Sequence, residues 1–142
     1  MKAFRGFPEG KVRFTPLPDL FFSQLIPAID DLAELKVTLH LFWLLHRKKG
    51  HPRYATLGEL REDPLLLAGL KVPGRPPEEV LEEGLERAVS RGTLLKLGDG
   101  YESWYFLNTA RSRQVVEKVA RGEVKLEAAP RGERRVEAER PN

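Results

Sequence analysis

Apolar positions change period several times along this chain, and each change predicts a separate element. Lys11 to Thr15 alternates, with Val12 and Phe14 on one side and Lys11, Arg13 and Thr15 on the other. That pattern predicts a short edge strand, ended by Pro16 and Pro18. Asp19 is placed to cap a short helix through Ile26, whose face of Leu20, Phe21, Leu25 and Ile26 is apolar and which Pro27 closes. Asp30 or Asp31 then caps the longest helix, running to about Lys49 before Gly50 and Pro52. It carries one apolar row, Leu32, Leu35, Leu39 and Phe42, and a second, Val37, Leu41, Leu44 and Leu45, with Trp43 between them. A helix apolar on two sides belongs partly to its own core and partly to a partner chain.

Downstream the signals are local and sharp. Thr56 and Glu59 form the capping box of a short helix with Leu57 and Leu60 inward, and Asp63-Pro64 opens another over Leu65 to Leu70. Pro73, Gly74, Pro76 and Pro77 make residues 71–77 a loop, since proline lacks a donor and glycine lacks constraint. In the following helix Leu81, Leu85, Ala88 and Val89 share one side and Glu79, Glu83, Glu86 and Arg87 the other. Gly84 costs about 1 kcal/mol relative to alanine inside a helix, which predicts close approach of another backbone there. Gly92 stops the helix. Thr93 to Leu97 and Tyr101 to Leu107 then flank Gly98-Asp99-Gly100 and predict a hairpin on an Asp-Gly turn. Asn108 or Thr109 caps a last helix to about Arg121, with Val115, Val116 and Val119 as its apolar strip. The expected fold is mostly α with a β-hairpin: a winged helix, meaning a helix-turn-helix plus wing, with an N-terminal strand and helix extension and a C-terminal helix. Its expected units are an arm at residues 1–18, the winged-helix domain at 19–108, the C-terminal helix at 109–121 and a flexible linker or tail at 122–142.

Composition narrows the function. The 142 residues, 41% hydrophobic, suffice for one domain. Absence of cysteine excludes disulfides, iron–sulfur clusters and thiolate zinc sites, and predicts a reducing, cytoplasmic setting. The longest apolar run, Leu41 to Leu45, is far short of the roughly 20 residues of a membrane span, so no membrane partner is expected. The formal charge of +3 is unevenly placed: Lys2, Arg5, Lys11 and Arg13 make the start basic, residues after 110 are basic too, and the middle is mildly acidic.

No catalytic constellation or cofactor cradle can be assembled. His40, His46 and His51 lack metal-ligand spacing, no phosphate loop or nucleophile elbow occurs, and the expectation is a non-enzyme without metal or cofactor. The basic run from His46 to Arg53 offers Arg47, Lys48, Lys49 and Arg53 as candidate phosphate contacts, although cations at a helix C-terminus are also stabilising in themselves. A groove-reading helix would have to present Glu78, Glu79, Glu82, Glu83 and Glu86 against only Arg87 and Arg91, and like charge facing phosphate is repulsive. The hairpin tip, with Asp99 and Glu102, is no better placed, and Trp104, Tyr105 and Phe106 are expected to pack beneath it.

Three segments carry a family resemblance. Phe14-Thr15-Pro16-Leu17-Pro18-Asp19-Leu20-Phe21-Phe22, Ile29-Asp30-Asp31-Leu32-Ala33-Glu34-Leu35-Lys36, and Gly84-Leu85-Glu86-Arg87-Ala88-Val89 with Gly92-Thr93-Leu94-Leu95 resemble the amino-terminal domain of DnaD-like bacterial replication-initiation (primosome) proteins, over residues 11–121. The resemblance implies a winged helix extended by an amino-terminal helix and strand, and a protein–protein module that builds dimers or higher oligomers and contacts other initiation proteins. Members usually continue into a helical, DNA-binding domain with a Tyr-x-x-x-Ile-x-x-x-Trp motif, which Tyr54, Tyr101 and Tyr105 do not start. The chain ends in what reads as the linker, so DNA binding through these residues is expected to be weak or indirect. The expected self-association surface is Val12, Phe14, Leu17, Phe21 and Phe22, and Glu79, Glu83 and Glu86 are expected to dock a basic protein partner. The alternative is a winged-helix DNA-binding transcription regulator using the basic cluster 46–53 and the basic tails.

Overall fold

The computed structural model describes residues 3–126; the greater part of the expected tail, from residue 127 on, lies outside the described residues. Five α-helices, a three-stranded antiparallel sheet and two single turns of tighter or wider helix make up the described chain. Helix α1 spans Leu32–Arg47, β1 Ala55–Thr56, α2 Leu57–Arg61, α3 Pro64–Ala68, α4 Pro77–Arg91, β2 Leu94–Leu97, β3 Trp104–Leu107 and α5 Ala110–Ala120. The architecture is helix-rich with a small sheet, in the element order that the periodicity predicts from α1 onward except for β1, which no periodicity signals.

Local chemistry accounts for the boundaries. The Asp31 carboxylate accepts from the Glu34 N–H and starts α1. Thr56 and Glu59 close a full capping box on α2, Asp63 accepts from Leu65 and Leu66 N–H at α3, and Thr109 accepts from Ser112 N–H at α5. Each such cap contributes about 1 kcal/mol by satisfying an N–H that the helix leaves orphaned. Gly92 ends α4 in the left-handed conformation that costs a glycine nothing, φ +93°.

The helices α1 and α4 form the most extensive contact in the molecule. Val37, Leu41 and Leu45 from α1 meet Leu81, Leu85 and Ala88 from α4, and Leu57, Leu60, Leu66, Leu70, Leu94 and Tyr105 complete the core. Of the two apolar rows on α1, therefore, the second faces inward; Leu32 remains 64% exposed and Leu35, Leu39 and Phe42 are only partly covered. Gly84 packs directly on α1. A Cβ there would stand 3.0 Å from Val37 Cγ2 and 3.1 Å from the Ala33 carbonyl oxygen.

In the sheet, β3 is central, with β2 and β1 on either side. Leu94 faces Leu107 and Lys96 faces Tyr105 across β2 and β3, while Ala55 faces Tyr105 and Thr56 faces Trp104 across β1 and β3. Side chains alternate along β3: Tyr105 enters the main core, and Phe106, also buried, packs near Tyr54 on the other face.

Four expectations need correction. The segment Lys11 to Thr15 is not a strand: alternation alone makes no strand without a ladder partner, and this segment pairs with neither edge of the sheet, whose second edge strand is instead the two-residue β1, too short to have a period. The segment before α1 is helical over residues 19–25, as expected, but it widens to a π-helical turn at Phe21–Leu25, closed by the Ile26 N–H on the Phe21 carbonyl, and the Asp19 side chain caps nothing in it. Its anchor is the Phe21 ring, edge-on to Phe42 at 5.7 Å between centroids. Third, the hairpin turn is wider than an Asp-Gly pair: residues 98–103 loop through a 3-10 turn at Gly100–Glu102. Gly98 lets the loop fold back, at φ +81° and with the Glu102 carbonyl so near that any Cβ would collide with it. Fourth, α1 stops at Arg47, where Lys48 turns extended.

Gly84→Val should be destabilising by about 1–3 kcal/mol, the usual cost of forcing methyls into a packed helix contact. Urea unfolding followed by circular dichroism checks this; an unchanged midpoint would mean that α1 and α4 separate without penalty.

Candidate docking surfaces

Arginines on α4 turn toward α1. Arg91 makes a forked ion pair with Glu34, Nε to Oε2 at 2.6 Å and Nη2 to Oε1 at 3.1 Å, and Glu34 is fully buried. Charge-assisted, two-point pairing of this kind is what makes burial of a carboxylate tolerable. Hydrogen bonding to Glu34 raises the Arg91 pKa above its ordinary value, so the guanidinium stays charged. Arg87 stands 3.8 Å from Asp31. Of the two cations that could have offset the acidic helix at a phosphate surface, Arg91 is thus committed to its packing, while Arg87 stays largely exposed.

The outer face of α4 is left to carboxylates. Glu79 and Glu83, both more than half exposed, share Arg75 from the preceding loop at 2.8 Å and 2.7 Å. Glu82 pairs with Arg61 of α2, whose Nε also donates to the Tyr101 hydroxyl. Glu86 is exposed and has no ion pair among the described residues. Between α4 and the hairpin runs a groove of about 730 Å³, lined by these glutamates with Leu57, Lys96, Ser103 and Tyr105. Burial, with added negative charge from Glu82 and Glu86, pushes the Tyr105 phenol up to about 12, so it remains a neutral hydroxyl beside the carboxylates. Of the three expected docking carboxylates, Glu86 is open to a partner, whereas Glu79 and Glu83 already hold one cation between them.

The basic cluster divides in two. Arg53 donates through Nε to the Gly50 carbonyl at 3.1 Å and through Nη1 to the Leu45 and His46 carbonyls at 3.3 Å, filling acceptors that the end of α1 leaves open. Lys48 donates to the Tyr54 carbonyl at 2.7 Å and to Glu59 at 2.9 Å, and so ties α1 to α2. Both are held by the fold, which removes them as freely directed phosphate contacts. Arg47, over the Trp43 ring at 4.9 Å, and Lys49 are exposed.

Of the expected self-association residues, Phe14 is 80% exposed and Phe22 57%; Val12 is exposed and Leu17 half-buried. Phe21 is the exception. At 2% exposure its ring is spent inside the chain, against Phe22 and Phe42, so it supports a surface and cannot be one. Leu20, Ile26 and Leu32 are exposed large apolar residues on neighbouring positions that sequence reading did not assign to a surface. The exposure of Leu32 follows from which row of α1 faces α4, and no local pattern distinguishes the two rows. A further contact without sequence signal is His40 Nε2 with Asp63 Oδ2 at 2.8 Å, linking α1 to the cap of α3.

Among the described residues no helix is long and apolar enough to cross a membrane, and no cluster of three histidine or acidic side chains has metal-binding geometry. Compared with protein-family models, with curated proteins and with solved structures, the chain matches none.

Arg91→Ala, which strands a buried carboxylate, should lower stability more than Glu34→Gln, whose amide can still accept from the guanidinium that reaches water. Paired urea midpoints check the order. Equal losses would mean that Glu34 is solvated when its partner is gone.

Proposed function

We propose that this chain is a winged-helix, non-enzymatic module that self-associates and docks other proteins, as the amino-terminal domain of a DnaD-like replication-initiation (primosome) protein working in the cytoplasm. In this reading α2 to α4 are the helix-turn-helix region, and β2 with β3 are the wing. What carries the self-association half is a single observation: large apolar side chains stay in water on the outer side of α1 and on the arm before it, with Phe14, Leu20, Phe22 and Leu32 all more than half exposed. Single exposed apolar residues are common, but several on neighbouring elements mark an interaction surface. A second copy is the occupant, because these exposed side chains are large and apolar and a two-fold dimer buries such a surface against itself.

Docking of a different, basic protein is supported by the carboxylates in the groove between α4 and the wing. Phosphate is disfavoured there by charge, since Arg91 is held by Glu34 and Arg87 alone is set against Glu79, Glu82, Glu83 and Glu86. Two of the four basic side chains expected at phosphate are tied to backbone carbonyls, which weakens the reading as a duplex-reading regulator.

Light scattering after size exclusion tests self-association. A concentration-dependent dimer or larger species is expected, with Phe22→Asp combined with Leu32→Asp shifting it to monomer; a wild-type chain that stays monomeric at high micromolar concentration overturns this half. Gel-shift titration against duplex DNA at two salt concentrations tests the regulator reading. Weak binding that barely responds to Arg47→Gln with Lys49→Gln is expected, whereas tight binding with a steep salt slope lost in that variant would favour the regulator.

A further inference from the structure

A second concavity, of about 440 Å³, lies between the arm, the C-terminal end of α1 and the first turn of α5. Its size falls in the range of small-molecule sites. The floor is apolar, from Leu17, Phe42, Leu45, Leu107 and Val115. The rim is basic: His46, His51, Arg53 and Arg111 line it, and no aspartate or glutamate does. That is the reverse of the groove beside α4, with which it shares no residue.

The cations on the rim are ordered by different means. Arg53 is fixed by the three carbonyls at the end of α1, so its charge stays beside the cavity with two of its nitrogens already engaged. Arg111, exposed on α5, has no ion pair among the described residues and presents an open fork. His51 lies close to both: desolvation and then the charges of Arg111 and Arg53 hold its pKa below the usual value. Sequence reading found the 46–53 run but not Arg111, which joins it only through the fold.

We propose that this cavity binds a small carboxylate with an apolar body, the body on the floor and the carboxylate in the fork of Arg111. A bare inorganic anion would leave the floor in water. An uncharged apolar molecule would leave the guanidinium without a partner. A nucleic-acid backbone offers phosphate but no apolar body for a closed floor. One open fork matches the planar, two-point geometry of one carboxylate.

Titration of the full chain with octanoate, octanol and acetate, followed by amide chemical shifts, tests this. Octanoate should give saturable shifts at Leu107, Arg111 and Val115, with acetate and octanol each at least tenfold weaker. Arg111→Gln should keep the wild-type spectrum elsewhere and weaken octanoate about tenfold, and Val115→Asp should abolish binding by placing a like charge at the floor. The proposal is overturned if octanoate gives no saturable shift at these residues, if octanol binds as well, or if Arg111→Gln leaves the dissociation constant unchanged. Arg111 and Val115 lie outside the expected self-association residues, whereas Leu17 belongs to both sites, so the same titration on the Phe22→Asp, Leu32→Asp variant separates occlusion by a second copy from lack of binding.

Discussion

Close approach of α1 and α4 at Gly84 is the constraint from which the remaining geometry follows. Without a Cβ at that position, α4 packs directly against the Ala33 carbonyl and the Val37 methyl, and Val37, Leu41 and Leu45 of α1 share one core with Leu81, Leu85 and Ala88 of α4. A glycine inside a helix is costly in isolation, so its presence here is offset by packing that no larger residue would allow. Once the axes are this near, a polar side chain at Glu34 is enclosed, and Arg91 reaches across to satisfy it. Helix contact and buried ion pair are therefore one arrangement: the first excludes water, and the second makes that exclusion affordable.

This arrangement also fixes where charge is displayed. Arg87 and Arg91 are drawn toward Asp31 and Glu34, so the far side of α4 is left acidic, while the end of α1 gathers Arg53 and Lys48 onto its open carbonyls. Side chains that look equivalent in a charge count thus do different work. Those facing backbone acceptors or buried carboxylates stabilise the fold; those without such partners among the described residues, Glu86, Arg47, Lys49 and Arg111, remain to meet other molecules. The resulting surface has an acidic groove beside the hairpin and an apolar cavity with a basic rim near α5, and the two are suited to opposite kinds of ligand.

The apolar exterior has a similar origin. Because α4 covers only one of the two rows on α1, the other is sheltered in part by Phe21 and its π-helical turn, and otherwise faces solvent. A chain of this size has too few helices to cover both. Leaving large apolar groups in water costs free energy on the order of 1.5–3 kcal/mol for each that could be fully buried, which is the driving force for the proposed self-association.

Much of this was legible without coordinates. Caps at Asp31, Thr56, Asp63 and Thr109, the stop at Gly92, the hairpin and the need for a close neighbour at Gly84 are all signalled by a few adjacent residues, because each depends on hydrogen bonds or backbone freedom within a turn or two. What required the tertiary structure depends on partners distant in the chain: the row of α1 that is buried, the pairing of Glu34 with Arg91, the loss of Phe21 to the core, the two-residue strand at Ala55 and the meeting of Arg111 with the 46–53 run. Periodicity says that a face is apolar and composition says that a cation is present. Only packing decides which neighbour covers the face and which carboxylate, carbonyl or open solvent the cation meets, since those choices are made by separations in space that spacing along the chain does not encode.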